Sequence, residues 1–124
     1  MSGPRDIGAA GESLARAYLE SLGYTTVGSN VRVGHDEIDL LMRDGNTLVF
    51  VEVKQRSGGR SGLAAVDAAK RRRISRAAVV YMAKQGIMGC AARFDVIEVC
   101  VDGETRTVHH IPNAFPLVSG RYFV

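Results

Sequence analysis

Apolar residues recur along the chain with two different periods, and each change of period marks the boundary of a predicted element. A spacing of three to four residues covers residues 6–22 and again a segment from residue 63 or 66 to residue 85, which predicts two α-helices. Asp6 is the expected N-cap of the first helix, and Gly23 and Gly86 are the expected C-terminal stops. The side chains expected to face the core are Ile7, Ala10, Leu14, Tyr18 and Leu22 in the first helix, and Val66, Ala69, Arg73 or Ile74, Ala77 and Tyr81 in the second.

Alternation with a period of two predicts the strands. Residues 24–32 are rich in β-formers and predict an edge strand, because their polar content suits the border of a sheet. Residues 93–101 alternate strongly, and a turn at Asp102-Gly103 leads into a last strand over residues 105–111. The order is helix, strand, hairpin, helix, strand, so we expect an α/β fold with the core order αβββαβ.

The central hairpin covers residues 37–56, EIDLLMRDGNTLVFVEVKQR, where Asp44-Gly45 joins two apolar runs. Asp-Gly tolerates the positive φ of a two-residue turn, so the pattern predicts two antiparallel strands. A turn at Asp44-Gly45 places Asp39 opposite Phe50. A turn at Gly45-Asn46 places Asp39 opposite Glu52, whereas a three-residue turn sends Asp39 to the other face. With either two-residue turn, one face carries Glu37, Asp39, Leu41, Leu48, Phe50, Glu52 and Lys54, and the other carries Ile38, Leu40, Met42, Val49, Val51 and Val53.

Three carboxylates at one end of a mostly apolar hairpin need a compensating partner, because like charges opposed across two strands are destabilising. Carboxylate oxygens on neighbouring strands, with Cβ atoms roughly 4.5 to 5.5 Å apart, can converge on Mg²⁺ or Mn²⁺. The alternative is that Glu37 and Asp39 lie at a frayed strand end while Glu52 pairs with Lys54 in solvent. The unbroken run LVFVEV argues against an exposed end.

Two further polar residues have competing interpretations. Glu12 lies beside the apolar stripe of the first helix, where it either pairs with Arg16 on a solvated flank or leans over the charged face of the hairpin. His35, in the turn before the hairpin, is either an auxiliary ligand or base or simply an exposed loop residue.

The charge of the chain is more informative in its distribution than in its size. The 124 residues suffice for one domain, over residues 1–124, and the net charge is only +3. Seven of the 13 acids lie in residues 12–52, and eight of the 16 basic residues lie in residues 54–76. This asymmetry favours a polyanion approaching one side of the molecule, and nucleic acid fits better than a membrane surface because the basic stretch lacks a large apolar face.

A run of four cations at the start of the second helix is the expected contact with phosphates. A charge run alone is as often a solvated face, but this one follows the acidic hairpin directly. Phosphate contacts position a nucleic acid without reading its sequence, so we expect sequence-tolerant, salt-sensitive binding. The residues expected in this interface are Arg56, Lys70, Arg71, Arg72, Arg73 and Arg76.

Other signals exclude some classes of protein. Cys90 and Cys100 have no metal-ligand spacing, and we expect them to be small core residues. The N-terminus has no apolar segment of the kind found in secretory signals, and no apolar run approaches the roughly 18 residues of a membrane span. We therefore expect a cytoplasmic protein that does not enter a membrane.

Several motifs taken together resemble a known family. Asp39 and the segment Glu52-Val53-Lys54 are similar to the D…(D/E)XK pattern of the restriction-endonuclease-like, or PD-(D/E)XK, nuclease superfamily. The segments GESLARAYLESLGY, EIDLL, VFVEVKQR and RFDVIEV, with the basic helix between the last two, resemble the YraN-type family of bacterial proteins, which is related to Holliday-junction-resolvase-like folds. The resemblance covers residues 8–115. One departure is that the family's usual GEID reads DEID here, which affects the local turn.

The resemblance implies a restriction-endonuclease-like fold, with a mixed central sheet flanked by helices, and a metal-dependent nuclease activity. It implies that Asp39 and Glu52 bind Mg²⁺ or Mn²⁺ with help from the Val53 carbonyl, that Lys54 lies beside the attacking water, and that Glu12 is the helix-borne acid near the site. No standard role transfers to Glu37, although Glu12 or Glu37 could help to hold a second ion.

Three functions remain open from the sequence. The first is a nuclease acting on structured or branched nucleic acid, with DNA preferred to RNA, and a homodimer would suit a symmetric junction. The second is a catalytically silent nucleic-acid-binding module with the same fold. The third is a purely structural or protein-binding domain.

Overall fold

The computed structural model describes residues 4–57 and 66–116, with side chains for residues 10–56 and 66–116. Two helices and five strands follow one another in the predicted order. They are α1 (Pro4–Ser21), β1 (Thr25–Val33), β2 (Asp36–Asp44), β3 (Thr47–Ser57), α2 (Ala68–Gln85), β4 (Ala92–Asp102) and β5 (Thr105–Phe115). The αβββαβ core is confirmed, and β5 adds a final strand.

The strands form one mixed sheet in the order β1-β2-β3-β4-β5. β3 and β4 pair in parallel, and the other neighbours pair antiparallel. A parallel pair needs a crossover connection, which α2 provides. β1 lies at one edge, as its polar content predicts, and β5 lies at the other.

Both faces of the sheet are buried. On one face, α1 packs Ala15 and Leu19 against Leu40, Val51 and other strand residues. On the opposite face, α2 covers a second cluster that includes Phe50 and Phe94. No helix in the described ranges is long and apolar enough to cross a membrane.

The first helix differs from its prediction at both ends. It begins at Pro4, so Asp6 lies in the first turn and the prediction of Asp6 as N-cap is wrong. Proline is well tolerated at this position because the first N–H groups of a helix have no partner within it. Leu22, predicted to be buried, is 49% exposed because it follows the last helical residue, Ser21, and leaves the helical period. The side chain of Ile7 lies outside the described part.

The second helix begins after Asp67, whose side chain accepts a hydrogen bond from the Lys70 N–H, and it ends at Gly86 with a φ of 69°. The alternative start at residue 63 lies outside the described ranges. Ala69 is exposed, contrary to its predicted place on the inner stripe. Of the two alternatives for the next position, Arg73 is exposed, whereas Ile74 is partly buried and packs against the core cluster under α2. The buried residues of the helix are Ser75, Ala77, Ala78, Val79 and Met82.

The central hairpin has the second of the two considered registers. Asp44 pairs with Thr47, so the turn is Gly45-Asn46, and the turn at Asp44-Gly45 is wrong. Gly45 has a φ of 60°, which glycine adopts without steric cost. The hairpin between β4 and β5 shows the same shift of one residue, because Asp102 pairs with Thr105 and the turn is Gly103-Glu104.

The faces of the hairpin follow the predicted alternation except at one position. Leu41, Leu48 and Phe50 face α2, while Leu40, Met42, Val49 and Val51 face α1. Ile38 was expected beside Leu40 but packs in the cluster that faces α2. The alternation therefore changes between Ile38 and Leu40, and Asp39 lies at the change.

Candidate functional site

Asp39 lies where the pairing of β2 with β3 ends. The last paired residues are Leu40 and Val51. Beyond them the Val53 N–H donates a hydrogen bond of 2.9 Å to Asp39 Oδ2 instead of to a backbone carbonyl. This bond fixes the Asp39 carboxyl over β3, next to Glu52.

The surroundings of Asp39 make its ionisation unfavourable. The pKa of Asp39 is raised from 3.8 to about 8, mainly by burial and in addition by the charge of Glu52 and a hydrogen bond with its carboxyl. The Val53 N–H acts in the opposite direction, and the charge of Glu12 adds to the rise. The charges of two acids, Glu52 and Glu12, therefore act on Asp39. Glu12 is half-buried on α1 and lines a cavity together with Arg16 and with Leu40 of the hairpin.

Glu52 is buried on β3, with an exposed fraction of only 5%. Two ammonium groups approach the same oxygen of its carboxylate. Lys70 Nζ lies 2.6 Å from Glu52 Oε2, and Lys54 Nζ lies 3.5 Å from it. Lys54 comes from the same strand, whereas Lys70 comes from the first turn of α2.

The two lysines differ in how firmly they hold their protons. Burial and the neighbouring Lys70 lower the pKa of Lys54, and Glu52 opposes this change only in part. Burial also acts to lower the pKa of Lys70, but the hydrogen bond and the charge of Glu52 outweigh it, so the net pKa is raised.

An open cleft of about 280 Å³ lies beside Glu52 and Lys70, which line it from the sheet and from α2. The turn residue His35 and the first residues of β2 form its other wall. Asp36, in that wall, accepts two hydrogen bonds of 2.9 and 3.0 Å from Arg76 of α2. This pair ties the start of β2 to the helix. The full lining is His35, Asp36, Glu37, Glu52, Lys70, Arg73 and Ile74.

The basic residues predicted to contact nucleic acid fall into two groups. Four have partners within the protein. Lys70 binds Glu52, Arg76 binds Asp36, and Arg56 lies 3.3 Å from Glu98. Arg71 donates from Nε to the Val66 carbonyl and lies over the Phe115 ring, 5.4 Å from its centroid. Arg72 and Arg73 are exposed, and Arg73 lines the cleft.

Sequence reasoning did not place Lys70 in the site, because it predicted only a contact between Lys70 and phosphates of a nucleic acid. A signal was nevertheless present. In a parallel crossover the helix runs back against the strands, so its first turn begins near the carboxyl end of the preceding strand. The second half of β3 carries Glu52 and Lys54, and Lys70 follows the cap residue Asp67 closely.

The carboxyl groups of this site suit a hard divalent cation that takes only a few of its ligands from the protein. Within the described ranges no three His, Cys, Asp or Glu side chains are arranged to hold a metal ion. Asp39 and Glu52 nevertheless form a close pair of carboxyl groups that share a hydrogen bond. Mg²⁺ is commonly held through one or two carboxylates and otherwise by water and substrate phosphates.

A second polar network lies in a different part of the sheet and has a structural role. Asp95 is completely buried and accepts hydrogen bonds from Arg93 and from the Asn113 N–H, and it lies 2.7 Å from His110 Nε2. Arg93 also contacts Asp44 and Tyr24. This network joins β2, β4 and β5 and supplies the partners that a buried carboxylate needs.

The chain belongs to the uncharacterised protein family UPF0102, whose family model matches residues 11–99. It is 46% identical over 115 residues to a UPF0102 protein of Geobacter metallireducens, in an alignment that covers 91% of this chain and 94% of that protein. It is 47% identical over 115 residues to a UPF0102 protein of Symbiobacterium thermophilum, with coverages of 90% and 97%. A UPF0102 protein of Chlorobium chlorochromatii is 46% identical over 118 residues. The family membership expected from the motifs is confirmed.

Proposed function

We propose that the protein is a metal-dependent nuclease that hydrolyses phosphodiester bonds in structured or branched nucleic acid, with DNA preferred to RNA. The observation that supports this proposal is the close approach of Asp39 and Lys54 to Glu52, whose side chain lines an open cleft. The preference for DNA, a cytoplasmic location and a homodimer follow from the sequence alone and stay predictions.

The cation would be Mg²⁺ or Mn²⁺, held by Asp39 and Glu52, with the Val53 carbonyl as a further ligand. Bound there, it would polarise a phosphodiester and lower the pKa of a water molecule. Glu12 and Glu37 are candidates to support a second ion, since Glu12 acts on the charge of Asp39 and Glu37 lines the cleft.

The protein side chains have separate roles in this proposal. The Val53 N–H fixes the orientation of the Asp39 carboxyl, which lies within hydrogen-bonding reach of the Glu52 carboxyl. Lys54 neutralises charge that develops on the phosphate and orients the water. The exposed Arg72 and Arg73 bind phosphates of the nucleic acid outside the cleft and position it there.

The experiment that tests this proposal is cleavage of labelled four-way junction, flap and linear DNA in Mg²⁺ or Mn²⁺. The wild-type protein is compared with Asp39→Asn and Lys54→Ala. Asp102→Asn is the matched control, because Asp102 is an exposed aspartate at the far end of β4. We expect the control to cleave like wild type and each of the two site variants to lose at least 100-fold in rate. Equal cleavage by all four proteins would eliminate this site.

One observation favours a second function, that of a catalytically silent nucleic-acid-binding module. Glu52 Oε2 is already in contact with two lysines, and only 6% of the side chain is exposed. A module of this kind would bind junction DNA with the same salt dependence and release no product with either cation. Binding that depends on Arg72 and Arg73, without cleavage of any substrate, is the result that would favour it.

A further inference from the structure

The shortest contact in the cleft involves a residue outside the D…(D/E)XK motif. Lys70 Nζ lies 2.6 Å from Glu52 Oε2, whereas the motif lysine, Lys54, lies 3.5 Å from the same oxygen. A separation of 2.6 Å is that of a strong charge-assisted hydrogen bond. Lys70 is therefore the main counter-ion of Glu52 in the free protein.

The fold holds Lys70 in this place. Its backbone N–H donates a hydrogen bond of 2.9 Å to the cap residue Asp67, which fixes the start of α2. Its side chain is 29% exposed and lines the cleft beside Glu52, so the ammonium contacts the carboxylate at the surface from which an ion would enter.

A divalent cation and an ammonium group cannot both stay in direct contact with the same carboxylate oxygen without strong repulsion. We propose that Lys70 is a resident counter-ion that occupies the cation position at Glu52 Oε2 and must be displaced when Mg²⁺ or Mn²⁺ binds. This inference rests on the proposed function, because it concerns the same site. In the metal-free protein, the negative charge of Glu52 is then neutralised by Lys70.

The direct consequence is that removal of the Lys70 charge makes the site bind a divalent cation more tightly. The substitution Lys70→Gln keeps a side chain of similar length and a hydrogen-bond donor for Glu52 but removes the competing charge. We expect the affinity for Mn²⁺ to rise about fivefold or more. The repulsion between the cation and a neighbouring unit charge is stronger at a partly buried site than between two charges exposed to solvent. Lys70→Arg keeps the charge and should leave the affinity near that of wild type.

The test is titration of the full chain with Mn²⁺, followed by calorimetry and by electron paramagnetic resonance of the free ion. Lys84→Gln is the matched control, since Lys84 is an exposed lysine in the last turn of the same helix. The inference is supported if Lys70→Gln binds Mn²⁺ more tightly while Lys84→Gln and Lys70→Arg do not. It is overturned if wild type binds Mn²⁺ and Lys70→Gln binds it equally or more weakly. If neither wild type nor Lys70→Gln binds Mn²⁺, the proposed metal centre itself fails.

A second measurement uses the unsubstituted protein and so does not depend on the folding of a variant. Lysine side chains labelled with ¹³C at Cε are followed by NMR during titration with Mg²⁺, and the Lys70 signal is assigned from Lys70→Arg. We expect the Lys70 signal to shift and sharpen as the ammonium leaves Glu52, while the Lys84 signal stays in place. A Lys70 signal that is unchanged at saturating Mg²⁺ overturns the inference.

Discussion

The substitution Asp39→Asn should stabilise the metal-free protein, and the gain should grow with pH. In the folded state the pKa of Asp39 is raised from 3.8 to about 8, by burial first and then by Glu52. An asparagine keeps the shape and an acceptor for the Val53 N–H, but it carries no charge at any pH. The change therefore isolates the cost of a negative charge at this buried position beside Glu52.

The direction of the pH dependence follows from the protonation of Asp39 in the folded and the unfolded chain. Below about pH 4 the carboxyl is protonated in both the folded and the unfolded chain, and Asp39 has no effect of this kind on stability. Between the two pKa values the unfolded chain has released the proton and the folded protein has not, so wild-type stability falls by about 1.4 kcal/mol per pH unit. Above about pH 8 both states are ionised and the loss is complete.

The difference between the two pKa values of Asp39 sets an upper limit on this loss of stability. The difference between 3.8 and about 8 corresponds to about 5 to 6 kcal/mol. Water in the open cleft screens the two carboxylates, so we expect the advantage of Asp39→Asn to grow by about 1 to 3 kcal/mol between pH 5 and pH 8. The assay is urea unfolding in EDTA at each pH, followed by circular dichroism.

Asp102→Asn is the control, because Asp102 is exposed and lies at the far end of β4. Its difference from wild type should stay constant over the same pH range. An Asp39→Asn protein whose stability difference is also independent of pH, or whose advantage shrinks as pH rises, would refute the raised pKa and with it the close pairing of Asp39 and Glu52.

Two further predictions concern the structural network and the basic helix. Asp95→Ala should lower the free energy of unfolding by about 3 to 5 kcal/mol in urea denaturation, because Arg93 and other partners lose a buried carboxylate. A loss under about 1 kcal/mol would mean that the network is not needed for stability. The double variant Arg72→Glu and Arg73→Glu should weaken binding of labelled junction DNA in Ca²⁺ and reduce the slope of log affinity against log salt by about 2. Lys84→Glu, on the same helix, should change neither, and an equal effect from it would remove the specific role of the two arginines.

Local chemistry in the sequence was enough to predict the elements and the residues of the hairpin. Periods of two and of three to four residues are determined by neighbours along the chain, so the order αβββαβ could be derived before any tertiary contact was known. Gly23 and Gly86 were predicted as helix stops, and both have positive φ values, 95° and 69°. The concentration of Glu37, Asp39 and Glu52 on one short hairpin is likewise a property of the sequence.

The register of that hairpin was decided only by the folded structure. Asp44-Gly45 and Gly45-Asn46 both suit a two-residue turn, so turn chemistry alone leaves a choice of one residue. In the folded sheet the turn is Gly45-Asn46, and the side chains change face between Ile38 and Leu40, where Asp39 accepts a hydrogen bond from the Val53 N–H.

Contacts between distant parts of the chain were beyond sequence reasoning for the same physical reason. Whether a basic residue of α2 meets solvent or an acid depends on how the helix is rotated over the sheet, and that rotation is set by the packing of the whole inner face. The cations of this stretch therefore look alike in the sequence. In the fold, Lys70 pairs with Glu52 and Arg76 pairs with Asp36, whereas Arg72 is exposed. The sequence supplied the charged groups, and tertiary packing determined which of them neutralise one another.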